Sequence, residues 1–149
     1  MAKMNAAQIE AVLQQQQIAR IGCASNGRPY VVPVFFVYSD GSIYCQSREG
    51  LKLNILRENP QACIQVDAID NLSNWRSVVV WGRFTELKNA ASIKKAAALL
   101  EAKFFPLATG EQVTQLPTGT HPPEVVEKMH RAVYFQVIIE DMSGRFEKN

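Results

Sequence analysis

Ser47, Arg48, Gly50 and Lys52 fall together in the stretch IYCQSREGLKLNILRENP, which begins with the pattern of a strand and ends with that of a helix. A hydroxyl, two cations and a glycine at a strand-to-helix junction form a set able to hold an anion. The first turn of a helix has backbone N–H groups without partners and the positive end of the helix dipole, so a phosphate is stabilised there. In that reading Ser47 caps the helix, Arg48 and Lys52 lie four apart on one helical face, and Gly50 lets a ligand come close. The same residues also make an ordinary helix start, a capping serine followed by two solvated cations. The stretch is not a P-loop, because the first glycine and the Lys-Ser/Thr pair of that motif are missing.

Other chemistry-bearing residues are sparse. His121 and His130 stand nine apart across a Pro-Pro break and read as surface or core-edge side chains. Cys23, Cys45 and Cys63 are an odd set without a C-x-x-C pair, each among apolar neighbours, which points to buried, inert thiols. No G-x-S-x-G, H-E-x-x-H or G-x-G-x-x-G occurs. Trp75 and Trp81 suit a core or an interface. With no side-chain acid–base set, enzyme chemistry here would have to be carried by a cofactor.

The elements that must position these residues follow from periodicity. Ala6, Ile9, Val12, Leu13 and Gln16 mark a helix from Asn5 to about Gln17. Ile18 to Ser25, Pro29 to Tyr38 and Ser42 to Ser47 read as strands. Asn26-Gly27 and Ser39-Asp40-Gly41 join them as hairpins. A helix from about Arg48 to Asn59 ends at Pro60. Gln61 to Asp67 is a fourth strand, "AIDNLSNWR" a polar loop, and Ser77 to about Leu87 a fifth strand. Asn89 caps a helix striped by Ile93, Ala96, Ala97, Leu100 and Phe104. Leu107 to about Pro123 reads as irregular, and Val133 to Glu140 alternates as a final strand. "VVPVFFVY" and "VVVW" are apolar on both faces, so each covers a core on one side and a helix, ligand or second subunit on the other. Six antiparallel strands of this kind suggest a small barrel, mainly β with helices.

Bulk properties agree with one domain over residues 1–149. With 16 basic and 14 acidic side chains the net charge is +2, too balanced to argue for nucleic acid. No apolar run approaches the ~18 residues that suggest a membrane span. The N-terminal stretch lacks the apolar region of a secretory signal, so a cytoplasmic location is the default expectation.

Gly27 to Asp67, followed by "WRSVVVWGRF" from Trp75 to Phe84, resembles the pyridoxamine 5′-phosphate oxidase-like flavin-binding split barrels. Within them the chain looks most similar to the nitroimidazole-reductase-like branch. The order P-Y-V-V-P, D-G, I-Y, E-G-x-K, N-P and W-x-S-V carries the resemblance over residues 18 to 87 and returns weakly at "VYFQVIIEDMSGR". It implies a six-stranded FMN-binding split barrel, and a homodimer with two FMN molecules in clefts between subunits. By position, the backbone of Val32, Pro33 and Val34 would lie along the flavin ring. Gln46 and Ser47 would follow toward the ribityl chain, and Gly50, Leu51 and Lys52 would hold the phosphate. Trp75, Arg76 and Ser77 would come from across the dimer.

The resemblance also implies limits. The true oxidases carry an Arg and a Lys where this chain has Val32 and Val37, and they end in an R-L-x-P motif where it ends SGRFEKN. Chemistry other than pyridoxamine phosphate oxidation is therefore implied. The nitroimidazole branch usually has a histidine at Gln46, whose amide cannot serve as an acid. The expected function is a flavin-dependent oxidoreductase for a small organic substrate, with a reduced nicotinamide as a possible donor. The alternative is a module holding flavin without turnover, or haem, for which His121 and His130 are the available axial ligands. A cofactor-free interaction domain is a further alternative.

Overall fold

The computed structural model describes residues 1–105 and 132–149. The expected irregular stretch from Leu107 to Pro123, with His121 and His130, lies outside the described residues. Along the chain run β1 (Ala2–Lys3), α1 (Ala6–Gln15), β2 (Ile18–Ser25), β3 (Arg28–Ser39) and β4 (Ser42–Ser47). Then follow α2 (Leu51–Glu58), β5 (Gln61–Asn71), β6 (Asn74–Leu87), α3 (Ala90–Phe104) and β7 (Val133–Glu147).

Turn and cap residues set these limits. Asn26 and Gly27 have φ of 53° and 75°, and Asp40 and Gly41 have 49° and 75°. Those left-handed pairs give a two-residue hairpin the twist of its strands, so β2, β3 and β4 form a meander. Asn5 opens α1 with a reciprocal capping box to Gln8, and the Asn89 side chain accepts from the Ser92 N–H at 2.8 Å to open α3. The expected polar loop from Ala68 to Arg76 is instead a hairpin. Asn71 Oδ1 accepts from the Ser73 N–H at 2.9 Å and from the Asn74 amide at 3.0 Å, a side-chain turn that needs no glycine.

The strand order is β1-β7-β4-β3-β2-β5-β6, and β6 also pairs with β7 from Trp75↔Glu147 to Leu87↔Tyr134. The ring β2 to β7 is thereby closed, so each of its strands has a neighbour on both sides over at least part of its length. The sheet has seven strands rather than six, because β1 adds Ala2↔Phe146 and Lys3↔Arg145 to the end of β7. Two residues are too few for alternation to show in a sequence.

Ile9, Val12 and Leu13 of α1 and Leu53, Ile55 and Leu56 of α2 join the barrel core with Phe36, Ile64, Val78, Val80 and Phe135. α3 covers another face, packing Ala96 and Leu100 on Val37, Tyr44, Leu87 and Tyr134. Lys103 fastens this helix, donating to the Gln16 carbonyl at 2.5 Å and the Phe36 carbonyl at 2.9 Å. Burial pulls its pKa down to about 8. The two-faced strands are thus only partly covered: Val31, Phe35 and Trp81 remain 64%, 61% and 52% exposed. Among the described residues no helix is long and apolar enough to cross a membrane.

Candidate functional site

β3 and β4 pair only from Phe36↔Cys45 to Ser39↔Ser42. Beyond Phe36, β3 continues back through Val34, Pro33 and Val32 paired to β2 alone, while β4 runs on through Gln46 and Ser47 paired to β7. The two strands part, and the edge of β3 that faces the gap has no strand partner at Val32–Val34. Pro33 belongs in such a stretch, since it has no N–H to give to a ladder. β4 leads from Ser47 through Arg48, Glu49 and Gly50 into α2, so Gln46, Ser47, Gly50, Leu51 and Lys52 follow one another on one side of this parting, with the unpaired β3 edge of Val32, Pro33 and Val34 on the other.

The helix start differs from expectation. The Ser47 hydroxyl donates to the Arg48 carbonyl at 2.9 Å and caps nothing. α2 begins at Leu51 behind an extended Gly50 (φ 172°, ψ −170°), with no side-chain cap. Arg48 is exposed and outside the helix, so it does not share a helical face with Lys52. The first-turn N–H groups therefore have no side-chain acceptor, and a Cβ built on Gly50 would meet no atom within 4 Å. The way to this helix end is open.

Lys52 is half-buried, and desolvation lowers its pKa, with the Cys45 and Cys23 thiols nearby. Among the described residues no carboxylate pairs with it. The acidic group of the junction is already engaged: Glu49 accepts from Arg57 Nη1 at 2.7 Å and Nη2 at 2.8 Å, while Arg57 Nε donates to Glu86 at 2.7 Å. This fork ties the turn to α2 and β6. Glu49 and Arg57 stand eight apart, a spacing that periodicity does not flag, and sequence reading missed it. What remains at the junction is a half-buried ammonium, an uncapped helix end and free space. Such a set suits an anion such as a phosphate.

Trp75, Arg76 and Ser77 lie in β6, and strand alternation divides them. Trp75 and Ser77 share one face and Arg76 takes the other. Arg76 lines a cleft of about 380 Å³ under α1 with Met4, Gln8, Asn74 and Phe146, and Trp75 also reaches its lining. In strand order β6 is separated from β3 by β5 and β2, and from β4 by β7. No strand pairing within one chain brings these three residues to the β3–β4 opening.

Cys23 and Cys45 are buried, and burial pushes the Cys45 thiol up to about 12. Cys63 departs from the expectation of three buried thiols: it lies half-exposed on the open face, in register with Trp81 and Gly22. Among the described residues no group of His, Cys, Asp and Glu is placed to hold a metal ion.

A family model described as pyridoxamine 5′-phosphate oxidase matches residues 5–146. An uncharacterized protein of Rhizobium meliloti (strain 1021) is 29% identical over 147 residues, covering 95% of this chain and 92% of that protein. A solved FAD-binding protein from Mesorhizobium loti is 28% identical with a TM-score of 0.77, over 99% of this chain and 98% of that one. A candidate 5-nitroimidazole antibiotic resistance protein from Bacteroides thetaiotaomicron shares the fold at 18% identity, with a TM-score of 0.73 over 96% and 85% of the two chains.

Proposed function

Since this chain belongs to the pyridoxamine 5′-phosphate oxidase family, we propose that it binds FMN between two subunits and acts as a flavin-dependent oxidoreductase on a small organic substrate. The observation that carries this reading is Lys52, half-buried beside an uncapped helix end and without an acidic partner among the described residues. Keeping an ammonium there is unfavourable unless an anion arrives to pair with it.

The residues fit the cofactor in parts. Gly50, Leu51 and Lys52 would hold the phosphate, and Gln46 and Ser47 the ribityl chain. The unpaired edge of β3 at Val32, Pro33 and Val34 would lie along the ring. The flavin, when bound, supplies the electron and hydride chemistry. The protein's part is to bind and orient it, and to keep water from its covered face. Gln46 can donate and accept hydrogen bonds but cannot release a proton, so protons would come from water or substrate. A reduced nicotinamide as donor is tested by following its steady-state oxidation with added acceptors.

The cofactor is identified by mass spectrometry of the ligand released on denaturing the purified protein. FMN is the expected result. FAD is the second reading, favoured by the name of the Mesorhizobium loti relative; its diphosphate would use the same anchor. A protein that carries no flavin and takes none up would overturn both.

The dimer rests on the open face. Val31 and Trp81, in one register row through Gly22 and Cys63, form an exposed apolar surface. Phe35, further along β3, is still 61% exposed although its ring meets Phe104 of α3. A standard interface buries ~800 Å² on each partner. A two-fold pairing there would give two equal sites and bring β6 of one subunit toward the opening of the other. Sedimentation at low micromolar concentration should show a dimer. Trp81→Lys should shift it toward monomer and lower flavin occupancy together. A wild-type monomer that retains stoichiometric flavin would exclude the shared site and the role of Trp75.

A further inference from the structure

The cleft under α1, where the end of β5, the start of β6 and the end of β7 meet, is not used by the flavin reading. None of its lining residues comes from β3, β4 or α2. Ala68↔Arg76 and Arg76↔Phe146 are register partners, so the arginine has a methyl group on one side and a phenyl ring on the other. Met4, Gln8 and Ala11 line the cleft from the side of α1. Two of its donors lack an acceptor. Arg76 is half-buried, and among the described residues no carboxylate pairs with it. Gln8 has given its amide oxygen to the Asn5 N–H at 2.8 Å, so its free end is the NH₂ group, which only donates. The Asn74 amide, by contrast, is engaged at both ends, with Asn71 and with the Asn149 N–H. Asp70, Glu147 and Lys148 also line the cleft but are exposed, so water screens their charges.

We propose that this cleft is a binding site for a small organic acid with a flat apolar body, separate from the flavin opening. The two oxygens of a carboxylate match the guanidinium fork of Arg76, and the Gln8 NH₂ group is available to one of them. A half-buried guanidinium without a counter-charge is unfavourable, and a bound carboxylate removes that cost. The body of the acid would lie against Met4, Phe146 and Trp75, while the small side chains of Ala11 and Ala68 keep the slot open. About 380 Å³ is at the small end of ligand sites and has room for a single aromatic ring. An alcohol or an amine of the same shape would leave the two donors unsatisfied. The site gives Arg76 a ligand within its own chain, where the resemblance sends it across a dimer.

The probe is benzoate, titrated into the full chain as purified and again after adding FMN. The two tryptophans report separately, since Trp75 lines the cleft and Trp81 stands on the open face. The NMR signal of the Trp75 indole N–H should shift saturably and that of Trp81 should not. The affinity should be the same with and without FMN. Benzyl alcohol, with the same ring and no charge, should bind about tenfold more weakly or worse. Arg76→Met should weaken benzoate by about ten- to a hundredfold, the loss of one charge-assisted pair. Arg76→Lys should recover part of this, as a point charge without the fork. Arg83→Met removes the same charge from an exposed position of the same strand and should leave benzoate binding unchanged. The comparison of benzoate with benzyl alcohol needs no variant, so it carries the test even if Arg76→Met folds poorly. No saturable shift at Trp75, or benzyl alcohol binding as well as benzoate, would overturn the inference. So would equal losses in Arg76→Met and Arg83→Met, or displacement of benzoate by FMN, which would put the acid in the flavin opening. A chain that takes up no flavin but binds benzoate as described would remove the proposed function and leave this site standing.

Discussion

Lys52→Ala should weaken FMN binding by about ten- to a hundredfold while leaving riboflavin binding almost unchanged. The size follows from losing one charge-assisted hydrogen bond to a phosphate, worth ~1.5–3 kcal/mol, at tenfold per ~1.4 kcal/mol. Riboflavin lacks the phosphate, so titrating both flavins into apo-protein isolates the contact; equal loss for both would sink the assignment. The fold should not suffer, because an unpaired half-buried ammonium contributes little to stability and its removal lifts a desolvation cost. Arg48→Ala, at an exposed position outside α2, should change little. The pH dependence has a definite sign. Burial lowers the Lys52 pKa in the free protein, and a bound phosphate would raise it again. FMN affinity should therefore be greatest below the lowered pKa and fall as pH rises through it. Riboflavin affinity should show no such fall.

Gly82→Ala should be the most destabilising single methyl addition in the barrel. A Cβ there would stand 2.4 Å from the Ile138 carbonyl oxygen and 2.7 Å from Val137 Cγ1. The first of these is backbone in the β6–β7 ladder, at the register shift between Trp81 and Gly82, and it cannot move aside without opening the pairing. Overpacking of this kind costs on the order of 3 kcal/mol, or roughly 6–12 °C in Tm for a chain of this size. Two control substitutions separate contact from conformation. Gly41→Ala meets no atom but keeps a φ of 75°, so only the left-handed penalty of about 1 kcal/mol applies. Gly50→Ala meets no atom and has an extended φ, so apo-protein stability should hold. Denaturant unfolding of the apo-proteins ranks the three. A loss at Gly82 no larger than that at Gly41 would mean the ladder yields more easily than its geometry indicates.

The fold was legible where a residue type has one structural use. Asn26-Gly27 and Asp40-Gly41 announce their turns because few other residues accept positive φ. Asn5 and Asn89 announce helix starts because their side chains satisfy first-turn N–H groups. Legibility failed where one residue type has several uses. Ser47 has the look of a cap but bonds the next carbonyl, and the cap position falls to Gly50. Asn71 looks like loop polarity but builds the tightest part of a long hairpin. At the candidate site, the residues from Val32 to Lys52 could be placed in order along the chain. The parting of β3 from β4 could not, because register is settled by packing across the whole sheet. The Glu49–Arg57–Glu86 fork and the row of Ala68, Arg76 and Phe146 under α1 escaped for the same reason. Their members meet only after folding.

β7 carries both seams of the barrel, pairing Ser42–Ser47 of β4 on one side and Trp75–Leu87 of β6 on the other. All the residues proposed to hold the flavin precede it in the chain, so they emerge during synthesis well before the wall that supports them can close. Long-range pairing of this sort is slow to form, since loop-closure entropy is lost before the contacts that reward it are made. Until β7 docks, β4 and β6 each present a bare strand edge, the kind of surface on which unfinished chains stick to one another. On the proposed reading, a flavin would find its full site only after β7 has docked, which makes the last strand the step that would turn a nascent polypeptide into a carrier.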